Sequence, residues 1–394
     1  MWQKIKNVYH LLVAILANAL FLFPGRGIKV IGVTGTDGKT TTATLIAHIL
    51  KQSGHKTSFI TSIEVQIGNK KFDTEFHVTT PSSFFLQKSL RQAVSQGSEY
   101  FVLEVTSHAI DQGRILGIPF EVAVLTNISH EHLDYHKTYE NYVKTKEKIL
   151  KIAKFAVLNR DDKSFDYLLL LKNKKHLITY GLGKSSDVNP SNFKFETTLL
   201  GDFNKHNILA AISCCKALGI EDEKIRAAIA SFKTPEGRLN FVYDKSFKVV
   251  IDFAHTPNAF EKVLSSLRPA VKGKIIHVFG SAGERDREKR PLMGKVSSRF
   301  ADIIILTSED PRGEDINEII SEIESGIKNS KDRVLKFKDR AEAIGQAIKM
   351  AKPGDLVLIT GKGHERSMNL GKGEESWDEF EVVKKAIEAR KNGL

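Results

Sequence analysis

The chain has 394 residues, enough for two or three domains, with an ordinary apolar share of 41%. Its formal net charge of +12 comes mainly from scattered lysines, with no dense basic tract interleaved with aromatics, which suits anionic ligands or surfaces and argues against nucleic acid as the partner. The two cysteines, Cys214 and Cys215, are adjacent in a helical-looking segment, cannot make a structural bridge, and fit a reducing, cytoplasmic setting.

From the amino end, residues 8–23 are nearly all apolar after Lys4 and Lys6. The run is shorter than the roughly 20 residues that a bilayer needs, and His10 and Asn18 interrupt it. Ala17-Asn18-Ala19 has the look of a cleavage site, but the segment leads at once into the strand-like run at 30–33 and the glycine-rich loop after it, which belong in the cytosol. It is expected to be a helix within residues 1–27, packed on the domain that follows or lying in a membrane interface. The apolar residues 30–33 then run into Thr34-Gly35-Thr36-Asp37-Gly38-Lys39-Thr40-Thr41-Thr42, and helical periodicity follows. This is a phosphate-binding loop. Gly35 and Gly38 let backbone N–H groups turn toward a phosphate chain, Lys39 brings a charge to its β/γ end, and the Thr40 hydroxyl reaches Mg²⁺ at a helix start. Val33 stands where the strict pattern has glycine, so the loop is a shorter variant.

Further strand-like runs at 57–61, 101–105, 122–126, 155–158 and 177–180 alternate with helical periodicity, predicting a parallel sheet covered by helices on both faces. Glu104 falls near the end of one run and is followed by Thr106-Ser107-His108, which puts a carboxylate and three polar groups at the carboxyl edge of the sheet, a placement suited to Mg²⁺ on a nucleotide. Residues 129–136 concentrate three histidines and two acids. They nearly match a binuclear metal hydrolase signature, but Tyr135 breaks the spacing, and one histidine on a nucleotide-bound metal reads better. The pattern breaks over residues 233–240, and strand-like runs resume at 248–252, 274–279, 302–307 and 355–360, as in a second, smaller α/β domain.

Eight segments, in order, resemble the Mur ligases: 33–42 (VTGTDGKTTT), 104–114 (EVTSHAIDQGR), 126–136 (TNISHEHLDYH), 201–207 (GDFNKHN), 252–258 (DFAHTPN), 280–294 (GSAGERDREKRPLMG), 308–312 (SEDPR) and 361–365 (GKGHE). The last two are closest to the UDP-MurNAc-tripeptide synthetase branch, MurE. Beyond the apolar helix expected at 1–27, the resemblance implies a central P-loop ATPase-like domain with a parallel sheet at 28–238 and a smaller Rossmann-like α/β domain at 239–394. It implies an ATP-dependent amide-bond ligase that phosphorylates a muramyl-peptide carboxylate and lets an amino acid displace the phosphate. Gly35 to Thr41 would hold the ATP phosphates, with Asn204 and Asn207 on the adenine side and Arg238, Asp252 and His255 reaching the nucleotide from the linker and second domain. Thr40 and Glu104 would hold one Mg²⁺ and His132 a second, completed by Lys146, which matches the family lysine carbamylated by CO₂. Thr79, Thr80, Thr106, Ser107, Gln112 and Arg114 match acceptor-binding positions, and Arg285, Asp310, Arg312, Gly361 and Glu365 match the amino-acid pocket. A monomer is expected, cytoplasmic, with peripheral membrane contact through the first helix.

Two departures from the family matter. Its extra N-terminal domain of roughly 100 residues binds the uridine diphosphate end, and here 27 residues precede the ATP domain, so weak dependence on that group is expected. Where diaminopimelate-adding members carry Asp-Asn-Pro-Arg, this chain has Glu309-Asp310-Pro311-Arg312. A carboxylate at 310 only accepts hydrogen bonds, which predicts a basic diamino acid such as lysine over diaminopimelate. The rival readings are a ligase acting on a lipid-linked or non-muramyl acceptor, and a nucleotide-responsive binding protein without turnover. Lys39, Glu104, His132 and Lys146 together favour the enzyme.

Overall fold

A computed structural model describes residues 2–73, 79–129, 131, 133–168, 176–328 and 333–392. It divides into two compact units, Met1–Lys233 and Thr234–Leu394.

The first unit begins with helix α1 (Trp2–Leu20) and a 3₁₀ turn at Pro24–Gly27. Its strands are β1 (Lys29–Thr34), β2 (Thr57–Ile60), β3 (Glu64–Ile67), β4 (Lys70–Asp73), β5 (Tyr100–Glu104), β6 (Phe120–Leu125), β7 (Phe155–Asn159) and β8 (Leu177–Tyr180). They form one sheet in the order β4-β3-β2-β5-β1-β6-β7-β8. Pairing is parallel from β2 across to β8, and β3 and β4 extend the sheet as an antiparallel hairpin. Between the strands run α2 (Lys39–Gln52), α3 (Ser83–Ser95), α4 (Ser107–Asp111), α5 (Leu133–His136), α6 (Tyr139–Ile152) and α7 (Ser164–Tyr167), and α8 (Asp202–Ala217) and α9 (Asp222–Ser231) follow.

Both faces of this sheet are buried, which is why its central strands read as continuous apolar runs. Alternation along each strand sends Ile31, Val33, Val122 and Val124 to a core shared with Leu45 and Ile46 of α2 and Ile208 and Ile212 of α8. Val30, Ala123 and Leu125 point to the other core, with Leu86 and Leu90 of α3 and Ile149 and Leu150 of α6. Because β1, β5 and β6 are parallel neighbours, the residues after Thr34, Glu104 and Leu125 all emerge at one edge.

The second unit has a sheet ordered β13-β12-β11-β14-β10-β9. Its strands are β9 (Asn240–Asp244), β10 (Lys248–Asp252), β11 (Ile275–Phe279), β12 (Ile303–Leu306), β13 (Val334–Lys336) and β14 (Leu356–Thr360). All pair in parallel except β9, which runs antiparallel on β10. The helices are α10 (Pro257–Leu267), α11 (Lys289–Phe300), α12 (Ile316–Glu324), α13 (Arg340–Met350) and α14 (Glu379–Lys391). Ile344 and Ile348 of α13 and Val383 and Ile387 of α14 close one face over Ile251, Val278 and Ile359. A short hairpin, β15 (Ser367–Asn369) with β16 (Glu374–Ser376), follows β14.

The ten strands expected from apolar runs fall on β1, β2, β5 to β8, β10 to β12 and β14. The polar hairpin β3–β4, the mixed edge strand β9 and the three-residue β13 carry no such run, so periodicity misses them.

Candidate active site

The loop between β1 and α2 is shaped by its two glycines. Gly35 has φ 152° and Gly38 φ 79°, and a Cβ at either would collide with Thr126 or Asn207. The segment after β6 braces the loop: Thr36 N donates to Asn127 O (2.8 Å), Asp37 N to Asn127 Oδ1 (3.0 Å), and Thr126 Oγ1 to Asp37 O (2.7 Å). Lys39, the first residue of α2, folds back with Nζ donating to Thr36 O (2.7 Å). Thr41 is buried at the same helix start, while Asn207 and Asn204 of α8 lie behind the loop, Asn207 accepting from Thr42 Oγ1 (3.4 Å) and donating to Asn204 Oδ1 (3.1 Å).

Thr40 and Glu104 meet at the sheet edge. Thr40 Oγ1 donates to Glu104 Oε2 (3.1 Å), which also accepts from the Ser62 amide (3.0 Å) and hydroxyl (2.9 Å). A hydroxyl and a buried carboxylate beside a phosphate loop are the hard oxygen donors that Mg²⁺ takes. Ser62, absent from the sequence reading, comes from the turn after β2 and holds the carboxylate in place.

Lys146 comes to the same place from α6. Its side chain is fully buried, with Nζ donating to Gly35 O (2.8 Å) and lying 4.6 Å from the centre of the Tyr142 ring. Burial, with the positive charge of Lys39 in second place, holds its ammonium well below the ordinary lysine range. The neighbouring Lys144 and Lys148 have exposed side chains, so of these three lysines the helix turns only the one at 146 inward. His132 and His130 lie outside the described residues. His136 is buried and bonds Ser107 Oγ (2.9 Å). Among the described residues, no group of three or more His, Cys, Asp or Glu side chains is arranged to hold a metal ion.

The acceptor candidates cluster after β5. Thr80 Oγ1 donates to Glu104 O (3.0 Å) and accepts from Thr106 N (2.9 Å), and Thr106 caps α4. Arg114 donates to Thr80 O (2.9 Å) and to Gln112 Oε1 (2.8 Å), which ties residues 80, 106, 112 and 114 together, with Thr79 preceding.

In the second unit, Asp252 is buried and its carboxylate accepts from Leu239 N (2.8 Å) and Ala254 N (2.7 Å), a brace for the turn that carries Arg238 and His255. Burial pushes its pKa up. Arg238 stacks 4.7 Å over Phe253, and His364 packs on the same ring, so residues 238, 253, 255 and 361–365 form one patch.

The loops at 280–285, 308–312 and 361–365 meet at the carboxyl ends of β11, β12 and β14. Asp310, Arg312 and Glu284 adopt left-handed backbone at φ 43°, 54° and 53°, strain of the kind stored at binding sites. Arg312 donates to Gly283 O (2.7 Å), and its other guanidinium nitrogens make no hydrogen bond among the described residues. Arg285 is exposed on the same loop. Asp310 is not the bare charge that the sequence reading takes it for: Oδ1 accepts from Lys362 Nζ (2.9 Å) and Asn369 N (3.0 Å). Glu365 likewise pairs with Lys362 at 2.6 Å. Glu309 supplies an orphaned carboxylate oxygen. Its buried Oε2 has no hydrogen-bond partner among the described residues, it lies against Gly361, and burial pushes its pKa up. Two fully buried arginines hold these loops, Arg340 outside every motif and Arg290 inside the segment 280–294 but given no role there. Arg340 bonds Ser308 O, Thr360 O and Glu379, and Arg290 bonds Ala282 O, Glu314 and Glu322.

A phosphate loop with a hydroxyl–carboxylate pair at the edge of a doubly covered parallel sheet is the site of an ATP-using enzyme. The family model for the Mur ligase middle domain matches residues 33–215, and that for the Mur ligase, glutamate ligase domain matches 237–363. A UDP-N-acetylmuramoyl-L-alanyl-D-glutamate--2,6-diaminopimelate ligase from Geobacillus kaustophilus is 37% identical, over 96% of this chain and 82% of its own length. The Aquifex aeolicus enzyme of the same name is 40% identical over 94% and 80%, and a UDP-N-acetylmuramyl-tripeptide synthetase from Roseiflexus is 37% identical over 94% and 81%. A solved structure of a UDP-N-acetylmuramoyl-L-alanyl-D-glutamate--2,6-diaminopimelate ligase superimposes with TM-score 0.61 at 32% identity, covering 92% of this chain and 79% of that one. The chain belongs to the Mur ligase family and is an ATP-dependent ligase. The folylpolyglutamate synthase of Mycobacterium tuberculosis complexed with ADP, at 18% identity and TM-score 0.69, shares the fold.

Proposed function

We propose that this enzyme joins a diamino acid to the carboxylate of a muramyl dipeptide in peptidoglycan precursor synthesis, through an acyl phosphate. The carrying observation is the convergence of Lys39, Thr40, Glu104 and Lys146 on one loop at the sheet edge, with the acceptor candidates Thr80, Thr106, Gln112 and Arg114 joined to Glu104 through Thr80. The acceptor carboxylate oxygen attacks the γ-phosphorus of ATP and ADP leaves. The amine then attacks the acyl carbon, loses a proton, and expels phosphate. Lys39 and the loop amides stabilise charge on the transferring phosphoryl group, and Thr36 to Thr41 seat the phosphates. Thr40 and Glu104 would hold one Mg²⁺, and His132 and Lys146 a second, ions that when bound would neutralise charge on the phosphates. A neutral Lys146 amine suits carbamylation: it would add to CO₂ and lose a proton, giving an anionic ligand where an ammonium would repel Mg²⁺. Asn204, Asn207, Arg238, Asp252 and His255 belong to the nucleotide side of this reading.

For the amine, diaminopimelate is favoured over lysine. Arg312 has guanidinium nitrogens to offer a second carboxylate, Lys362 neutralises Asp310, and the orphan Glu309 oxygen suits an ammonium. Arg285, Gly361 and Glu365 complete that pocket. The enzyme is read as a cytoplasmic monomer that touches a membrane peripherally, and a lipid-linked acceptor is the second reading. The test is phosphate release from ATP with the muramyl dipeptide and diaminopimelate supplied singly and together. Release that needs both supports the reading; release indifferent to either, or none, overturns it.

A further inference from the structure

Helix α1 packs the wrong way round for a helix on a water-soluble surface. The stripe it turns inward is mostly small and polar: Asn7, His10, Ala14, Ala17 and Asn18, with Val13 half-buried at its edge and the two alanines fully buried. Its outward side carries Val8, Tyr9, Leu12, Ile15, Leu16 and Leu20, with Leu12 55%, Leu16 69% and Leu20 64% exposed, and Leu22 and Phe23 prolong the strip. Amphipathic helices ordinarily bury the large apolar face, and an exposed patch of this kind marks a surface that meets something else.

Electrostatics says what it meets. Lys4, Lys6, Arg26 and Lys29 flank the strip in sequence, and the first acidic residue of the chain is Asp37. A two-fold contact with a second copy would set these cations against their like. An anionic lipid surface complements them, and among the described residues no helix is long and apolar enough to cross a membrane, which leaves α1 lying in the interface.

The inward stripe is bonded to the acceptor cluster. Asn7 donates to Asp111 Oδ2 (3.1 Å), Asn18 donates to Leu116 O (2.8 Å), and Leu11 stands where a side chain at Gly113 would meet it, so α1 grips both sides of Gln112 and Arg114. We propose that the exposed face of α1 seats the chain on an anionic membrane surface and so holds the Gln112–Arg114 cluster at the headgroup layer, where it would meet a lipid-borne acceptor. The seating stands on α1 alone; the consequence for the acceptor rests on the ligase reading above.

Flotation with vesicles of phosphatidylcholine, with and without phosphatidylglycerol, tests it, using the full chain and the double variant Leu12→Glu/Leu16→Glu. The wild type should float with the phosphatidylglycerol vesicles at least about tenfold better than with phosphatidylcholine alone, and high salt should weaken it. The double variant should lose about tenfold or more while its nucleotide binding and circular dichroism stay unchanged. No flotation with either vesicle overturns the proposal, as does a wild-type dimer that the double variant dissolves without any vesicle binding. No acceptor or amine enters these readouts, so a failure to find ligation in any mixture leaves the seating test standing.

Discussion

At the nucleotide loop the bracing groups are backbone amides and short side chains from neighbouring strand ends: Thr126 and Asn127 hold Asp37, and Ser62 holds Glu104. In the second unit's pocket the bracing comes from long buried charges, Arg340 with Glu379, Arg290 with Glu314 and Glu322, and Lys362 with Asp310 and Glu365. The first arrangement, Lys146 apart, rests on neutral braces that cost little desolvation, although they come from strand ends 42 to 90 residues away. The second depends on complete ion-pair networks, because a buried charge that loses its partner is left uncompensated. Damage to the first should therefore strike turnover, and damage to the second stability and substrate choice.

The largest effect is expected at Lys146. Lys146→Ala should lower ligation by on the order of 10²–10³-fold while nucleotide binding stays near normal, and added bicarbonate should stimulate the wild type but not the variant. Near-normal turnover in the variant, read by a coupled phosphate assay, would remove the carbamate from the account.

Breaking the second unit's network comes next. Arg340→Met strands the buried Glu379 carboxylate and should cost about 3–5 kcal/mol, seen by denaturant unfolding. A loss below about 1 kcal/mol would mean the pair contributes no more than an exposed one.

His277 sharpens the same contrast through pH. It is buried between Ser297 and Thr360, and burial, aided by the charge of Arg340, lowers its pKa from 6.5 to about 3. The unfolded chain takes up a proton below 6.5 that the folded chain refuses until about 3, so stability should fall across that window as pH drops, by about 1.4 kcal/mol per pH unit. His277→Asn should flatten that slope; parallel stability curves for the two proteins would contradict the assignment.

The smallest effect concerns the amine. Since Asp310 is already paired with Lys362, Asp310→Asn should shift the choice between lysine and diaminopimelate by less than about tenfold, at the bottom of the ~10–200-fold reach of a pocket contact. A wild-type preference for lysine that the substitution reverses would restore the bare-charge reading.

The same contrast explains what the sequence made legible. The nucleotide loop was readable because glycine, lysine and threonine must stand in that order for the backbone to wrap phosphate, and the central strands because both their faces are apolar. Lys146 was not separable from Lys144 and Lys148 by periodicity; the family resemblance singled it out, and only tertiary packing turns it inward. Ser62, Arg290 and Arg340 were invisible because their partners are distant in sequence, and the charge of Asp310 was misjudged for the same reason, Lys362 being 52 residues away. Helix α1 was legible as an apolar helix, but which side it buries was not, since its packed stripe is the less apolar one.

The central claim is that an acceptor carboxylate is activated as an acyl phosphate. Labelling that carboxylate with heavy oxygen and analysing the released phosphate by mass spectrometry tests it most directly. One labelled oxygen should appear in the phosphate for each amide bond formed. Amide formation accompanied by unlabelled phosphate would contradict the account.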